Sequence, residues 1–164
     1  MSIPNHPGKY IGKAVIEPKD VIEERKKAGI HPSCDVPSGA IICYDASLWQ
    51  WVSILPGSIG CDGWLAGSYI LQHNDSTILV SKAAGFGAST AVMTLEELIA
   101  FGIRKFINLG TAGGLQTNMN VGDIVVCESA IRDEGTSHHY MPDSKYAYSG
   151  EDLTGLLCEE IMKR

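Results

Sequence analysis

FINLGTAGGLQTNMNVGDIVVCESAIRDEGTSHHYMP, residues Phe106–Pro142, is the stretch that decides the fold. Apolar Phe106, Ile107 and Leu109 read as a short strand running straight into a glycine-rich turn, Gly110-Thr111-Ala112-Gly113-Gly114. Asn120-Val121-Gly122-Asp123 is a turn signal, and the apolar run Asp123–Cys127 after it predicts a second strand of the same sheet. Glycines at a strand end let the backbone approach a ligand, because no Cβ stands in the way. In an open α/β sheet, ligands bind at the carboxyl ends of the strands. The pattern therefore predicts a ligand cleft beside this turn.

Upstream, Gly39–Tyr44 (GAIICY) reads as a short buried strand. Tyr69–Gln72 and Thr77–Lys82 flank the turn formers His73-Asn74-Asp75-Ser76, which predicts a β-hairpin. Ala91, Val92, Leu95, Leu98 and Ile99 fall at helical spacing over Ala88–Phe101, with Glu96 and Glu97 expected outside and Gly102 as the stop. The loop Gly85–Ser89 that opens this helix is expected to share a sheet edge with the Gly110 turn, since their two strands are expected to be parallel neighbours joined by the helix in a right-handed crossover. Residues 1–38 are polar and proline-rich, with one helical patch near Asp20–Ala28. Leu153, Leu156, Leu157 and Ile161 begin another helix. Strands with helix cover give the α/β class, a three-layer sandwich with a central mixed sheet. Length and the absence of repeats place residues 1–164 in a single domain.

The net charge is −6, and no basic run exceeds Arg25-Lys26-Lys27. A nucleic-acid surface needs clustered cations to displace counterions, so that class is excluded. Five cysteines (Cys34, Cys43, Cys61, Cys127, Cys158) lack any C-x-x-C pair, and Cys43 and Cys127 are expected in buried strands. They read as reduced thiols of a cytoplasmic protein. No apolar leader or membrane-length apolar run is present in the sequence. His138 and His139 would point to opposite faces of a strand and could not share one ion, so no metal is expected. Trp49, Trp51 and Trp64 read as core or subunit-face residues.

The ordered series Gly110-Thr111-Ala112-Gly113, Val121-Gly122-Asp123 and Arg132-Asp133-Glu134-Gly135-Thr136-Ser137-His138-His139 resembles the nucleoside phosphorylase superfamily. Gly85-Phe86-Gly87-Ala88-Ser89 resembles the same family's glycine-serine element before a helix. The resemblance implies a nucleoside phosphorylase-type sandwich and a pentosyl transfer in which nucleoside and phosphate give free base and ribose 1-phosphate. It implies phosphate as co-substrate, no cofactor, a small-molecule nucleoside as ligand and a homo-oligomer. Family members are longer, so the C-terminal part of the fold is expected to be missing and the chain alone to be inactive.

By the same resemblance, Thr111, Ala112 and Gly113 contact phosphate, ribose or base, and Gly87, Ser89 and Asp45 belong to the same pocket. The alternatives from the residues alone are a tight turn for Thr111 and Gly113, and an early helix position for Ser89. Family enzymes surround the phosphate with arginines. Leu48 and Asn108 stand where two of these align, and Ile59 falls near the third, so the phosphate site is expected to be degraded. The rival expectations are a hydrolytic nucleosidase and a non-catalytic nucleoside-binding or assembly subunit. His6 resembles a histidine lent across family interfaces, against a solvated loop histidine as the alternative.

Overall fold

The computed structural model describes residues 6, 8–32, 34–64 and 66–163. Helix α1 (Pro18–Lys27) starts with proline at its first position, where a missing N–H costs nothing. Asp20 Oδ2 accepts from the Glu17 N–H at 2.8 Å, and Arg25, Lys26 and Lys27 sit in the last turn, where the helix dipole favours cations. Strand β1 (Gly39–Cys43) is followed by α2 (Ala46–Ser53), a helix the sequence reading did not anticipate. The remaining elements to residue 111 are β2 (Ser58–Gly60), β3 (Ser68–His73), β4 (Ser76–Lys82), α3 (Ala88–Phe101) and β5 (Phe106–Leu109).

The sheet has the order β2-β3-β4-β1-β5. β1 runs parallel to β4 and β5, whereas β3 is antiparallel to β2 and β4. The central mixed sheet read from the sequence is present. The β3–β4 hairpin turns on Asn74, whose φ of +52° is the left-handed conformation asparagine tolerates. Its loop is tighter than predicted, because His73 and Ser76 pair as the closing rung.

Alternation along the strands builds two apolar layers. Ala40, Ile42 and Leu79 pack with Leu98, Ile103, Trp64 and Cys61 on one side. Cys43 and Val80 pack with Val52, Leu48, Trp49 and Leu55 on the other. Helices α3 and α2 therefore cover opposite faces, and α1 packs outside α3. Ile42, Leu79, Leu98 and Ile103 are essentially inaccessible; burying each side chain contributes about 1.5–3 kcal/mol. Trp64 packs edge-on against Phe101 with centroids 4.6 Å apart, a core role, while Trp51 is exposed. Glu97 corrects the expectation for α3: it is buried rather than outside, because Arg25 of α1 pairs with it.

The described residues fall into two compact units, those between 13 and 111 as above and those between 6 and 12 with those between 112 and 163. The second unit contains β6 (Ser129–Ile131), β7 (Tyr146–Tyr148) and α4 (Glu151–Met162). β6 and β7 form their own antiparallel ribbon. The expected strand at 123–127 is absent: the segment joins no ladder, and Ile124 and Val125 are exposed. Apolar sequence sets β-propensity, but a strand also needs a hydrogen-bonding partner. Cys127 is accordingly exposed, not buried. His138 and His139 lie in a 3-10 turn (Ser137–His139), not in a strand. Among the described residues, no helix is long and apolar enough to cross a membrane.

Candidate functional site

The parallel strands β4, β1 and β5 end in register, Cys43 pairing with both Lys82 and Leu109. Their carboxyl ends therefore present three connections on one edge: Tyr44-Asp45, Ala83–Gly87 and Gly110-Thr111. Backbone bonds tie the three together, Ala83 N–H donating to the Cys43 carbonyl and Tyr44 N–H to the Leu109 carbonyl, both at 2.9 Å. The two glycine loops share this edge, as the crossover argument requires. They are not direct neighbours, because β1 is inserted between their strands.

Each loop has its own local cause. Gly87 caps α3 with φ +98°, a conformation that L side chains rarely adopt. The first bond of α3 runs from Ala91 N–H to the Gly87 carbonyl at 3.1 Å. The N–H groups of Ala88, Ser89 and Thr90 thus precede the helical ladder, where a helix N-terminus favours anions. Gly110 permits a close approach of backbone to Tyr44, since a Cβ there would lie 3.3 Å from the Tyr44 Cβ. Tyr44 donates to Asn108 Oδ1 at 3.3 Å, and burial raises its phenol above the usual range.

Asp45 has a structural task on this edge. Its Oδ1 accepts from the Leu48 N–H at 2.8 Å and caps α2. Leu48 packs into the apolar layer beneath α2, and Asn108 and Ile59 are exposed. All three positions are neutral. Among the described residues of this edge the cation is Lys82, exposed, with Nζ 5.5 Å from the Trp49 ring centroid. Thr111, Gly87, Ser89 and Asp45 thus follow strands of one sheet edge, while Ala112 and Gly113 open the exposed segment of the second unit.

In that second unit Arg132 is buried and spends its guanidinium on the chain itself. Nε donates to Ser137 Oγ at 3.0 Å, Nη1 to the Pro142 carbonyl at 2.8 Å and Nη2 to the Met141 carbonyl at 3.1 Å. Glu134 accepts from the Thr136 N–H at 2.7 Å and the Ser137 N–H at 3.0 Å. Tyr10 donates to the carbonyls of His138 and Met141 at 2.8 and 2.9 Å. The Arg132–His139 motif is therefore a self-bonded loop. His6 is exposed, and its Nδ1 accepts from the Gly8 N–H at 3.1 Å.

Two clusters escaped the sequence reading. The Arg25–Glu97 pair borders a groove of about 230 Å³ lined also by Ile16, Val21 and Met93. None of the sequence-predicted site residues lines it. Its signal was present: Thr94, Glu97 and Leu98 form one buried helical stripe. The other is a thiol pair, Cys34 and Cys61, which are separated too far in sequence to announce themselves.

A sequence profile described as the phosphorylase superfamily matches residues 67–163, more than half of the chain. Uridine phosphorylase of Haemophilus influenzae is 38% identical over 75 residues, which cover 46% of this chain and 29% of the relative. Guanosine phosphorylase of Halorubrum lacusprofundi is 42% identical over 66 residues, 40% of this chain and 27% of the relative. Uridine phosphorylase of Escherichia coli is 33% identical over 85 residues, 52% of this chain and 34% of the relative. The crystal structure of uridine phosphorylase from Vibrio fischeri superposes with a TM-score of 0.70 at 23% identity, covering 79% of this chain and 54% of that one. The matches span about a third or less of these curated relatives' length and about half of the solved chain. With the profile covering both glycine loops and the Arg132 motif, the chain belongs to the phosphorylase superfamily of nucleoside phosphorylases.

Proposed function

We propose that the chain carries the sheet edge of a nucleoside phosphorylase, an enzyme that needs no cofactor and exchanges the base of a nucleoside for phosphate to give ribose 1-phosphate. The observation behind this reading is the shared edge of β4, β1 and β5, where the glycine turns Gly85–Gly87 and Gly110-Thr111 begin. Thr111, Ala112 and Gly113 would meet the nucleoside. Gly87 and Ser89 would meet phosphate at the start of α3, and Asp45 would shape the edge between them through its cap of α2. In such a transfer the anion sits beneath C1′ while positive charge develops on the ribose, so fixed donors stabilise the transition state. Neutral Leu48, Asn108 and Ile59 leave the phosphate held mainly by backbone N–H groups, two hydroxyls and Lys82, and hence weakly. The chain acts as part of one domain, in a cytoplasmic homo-oligomer.

The test maps amide shifts of the 164-residue chain on titration with uridine. It also follows base and ribose 1-phosphate formed from uridine, guanosine and inosine, with and without phosphate. Shifts centred on 85–89 and 110–113 support the reading. Shifts centred elsewhere, or base released without phosphate, overturn it.

A further inference from the structure

We propose that Cys34 and Cys61 form an oxidisable dithiol, which a peroxide converts to a disulfide that locks the α1–β1 connection onto the turn after β2. Their sulfurs are 3.2 Å apart across 27 residues of sequence. A disulfide bond is about 2.05 Å long, so closure needs sulfur movement of about 1 Å. Both residues are free cysteines, Cys61 buried and Cys34 half-buried.

The surroundings hold the two thiols together independently of the sulfur contact. Cys61 N–H donates to the Ser68 carbonyl at 2.9 Å, which continues the β2–β3 ladder, and Trp64 Nε1 donates to Cys61 Sγ at 3.4 Å. Gly63, at φ +93°, lies so close to the α1–β1 connection that a Cβ on it would fall 2.3 Å from the His31 carbonyl carbon. Arg25 donates to the Gly63 carbonyl from the end of α1. The connection that carries Cys34 is thus already seated on the turn that carries Cys61.

The reaction balances with one peroxide. The more accessible Cys34 sulfur attacks a peroxide oxygen, the O–O bond breaks, and an alcohol (or water, from hydrogen peroxide) leaves with one thiol proton. Cys61 sulfur then attacks the Cys34 sulfenic acid, the S–O bond breaks and water leaves with the second proton. Two thiols are oxidised by two electrons, and the peroxide is reduced. Burial and the neighbouring Cys61 thiol push the Cys34 thiol up to about 12, so little thiolate exists at neutral pH. The lock therefore sets slowly. A reducing thiolate would reach it through the half-buried Cys34 sulfur rather than the buried Cys61.

The experiment treats the reduced chain, in a Cys127→Ser/Cys158→Ser background, with hydrogen peroxide, alkylates the remaining thiols and maps peptides by mass. The expected product is a Cys34–Cys61 cross-linked peptide with Cys43 alkylated. Unfolding temperature should rise by roughly 10 °C on oxidation, as closing a loop of this length predicts, and the rise should vanish in Cys34→Ser. Cys34→Ser, on the half-buried loop, also serves where Cys61→Ser fails to fold. Separate alkylation or sulfinic acids at Cys34 and Cys61 would overturn the proposal. So would a cross-link that leaves the unfolding temperature unchanged.

Discussion

Glu97 on α3 and Arg25 on α1 form an ion pair in which the acid side chain is 7% exposed and the base 19%. Arg25 also donates to the Gly63 carbonyl, so one guanidinium ties the outer helix to the inner helix and to the turn after β2. Two charges taken out of water stabilise a fold little by themselves, but removing one strands the other. Glu97→Ala should therefore cost roughly 3–5 kcal/mol in urea unfolding, and Arg25→Met a similar amount. The pair Arg25→Leu with Glu97→Leu should recover most of that loss. Additive single and double losses would show that the two residues act independently.

Gly63→Ala should be the most damaging single-methyl change in the β2–β3 connection. The φ of +93° disfavours any side chain, and the new Cβ would collide with the His31 backbone. Gly57→Ala is the matched control, because φ there is +82° with nothing within 4 Å. The strain of about 1–2 kcal/mol is common to both, and the collision belongs to Gly63 alone. Thermal unfolding should fall clearly further for Gly63→Ala; equal shifts would mean that the connection yields.

The contrast between these elements explains how far the sequence was legible. β1, β5 and α3 were read nearly to the residue, because a short apolar run bounded by turn residues and a 3.6-residue apolar spacing are both local features of the sequence. α2 was missed, since its cap Asp45 follows a buried strand and its face mixes Trp49, Gln50 and Trp51. The strand expected at 123–127 failed because pairing is a property of two segments. The shared sheet edge was legible through Gly87, which needs glycine for its φ of +98°, and Gly110, which lies close against Tyr44. Glu97 was misplaced because its partner lies 72 residues away.

Glu134 gives an acid dependence to the loop after β6. The hydrogen bond from Ser137 holds its carboxyl below the ordinary 4.5, with the Thr136 and Ser137 N–H groups assisting. A carboxylate depressed in the fold contributes stability above its unfolded value, and that contribution is lost as pH falls through the folded value. Protection of the Thr136 and Ser137 amides from hydrogen exchange should thus hold at pH 6 and decline as the pH drops below about 4.5. Glu134→Gln should abolish that pH dependence. A wild-type loop that loses no protection between pH 6 and 3 would remove the cap from the account.

The weak anion site of the proposed function can be strengthened in one place and not in the other. Asn108 is exposed at the end of β5 and accepts from Tyr44 at 3.3 Å, so arginine there keeps its charge in water and reaches the edge at small structural cost. A charge-assisted bond contributes about 1.5–3 kcal/mol, so Asn108→Arg should tighten phosphate binding by roughly tenfold to a hundredfold. Leu48 instead packs with Cys43, Val52 and Val80. Leu48→Arg removes apolar area there and should lower stability by about 1–3 kcal/mol before any gain in affinity appears. Calorimetric titration with inorganic phosphate, run beside urea unfolding of both variants, reads the two effects separately. Unchanged phosphate affinity in a folded Asn108→Arg chain would place the anion away from the ends of β1 and β5.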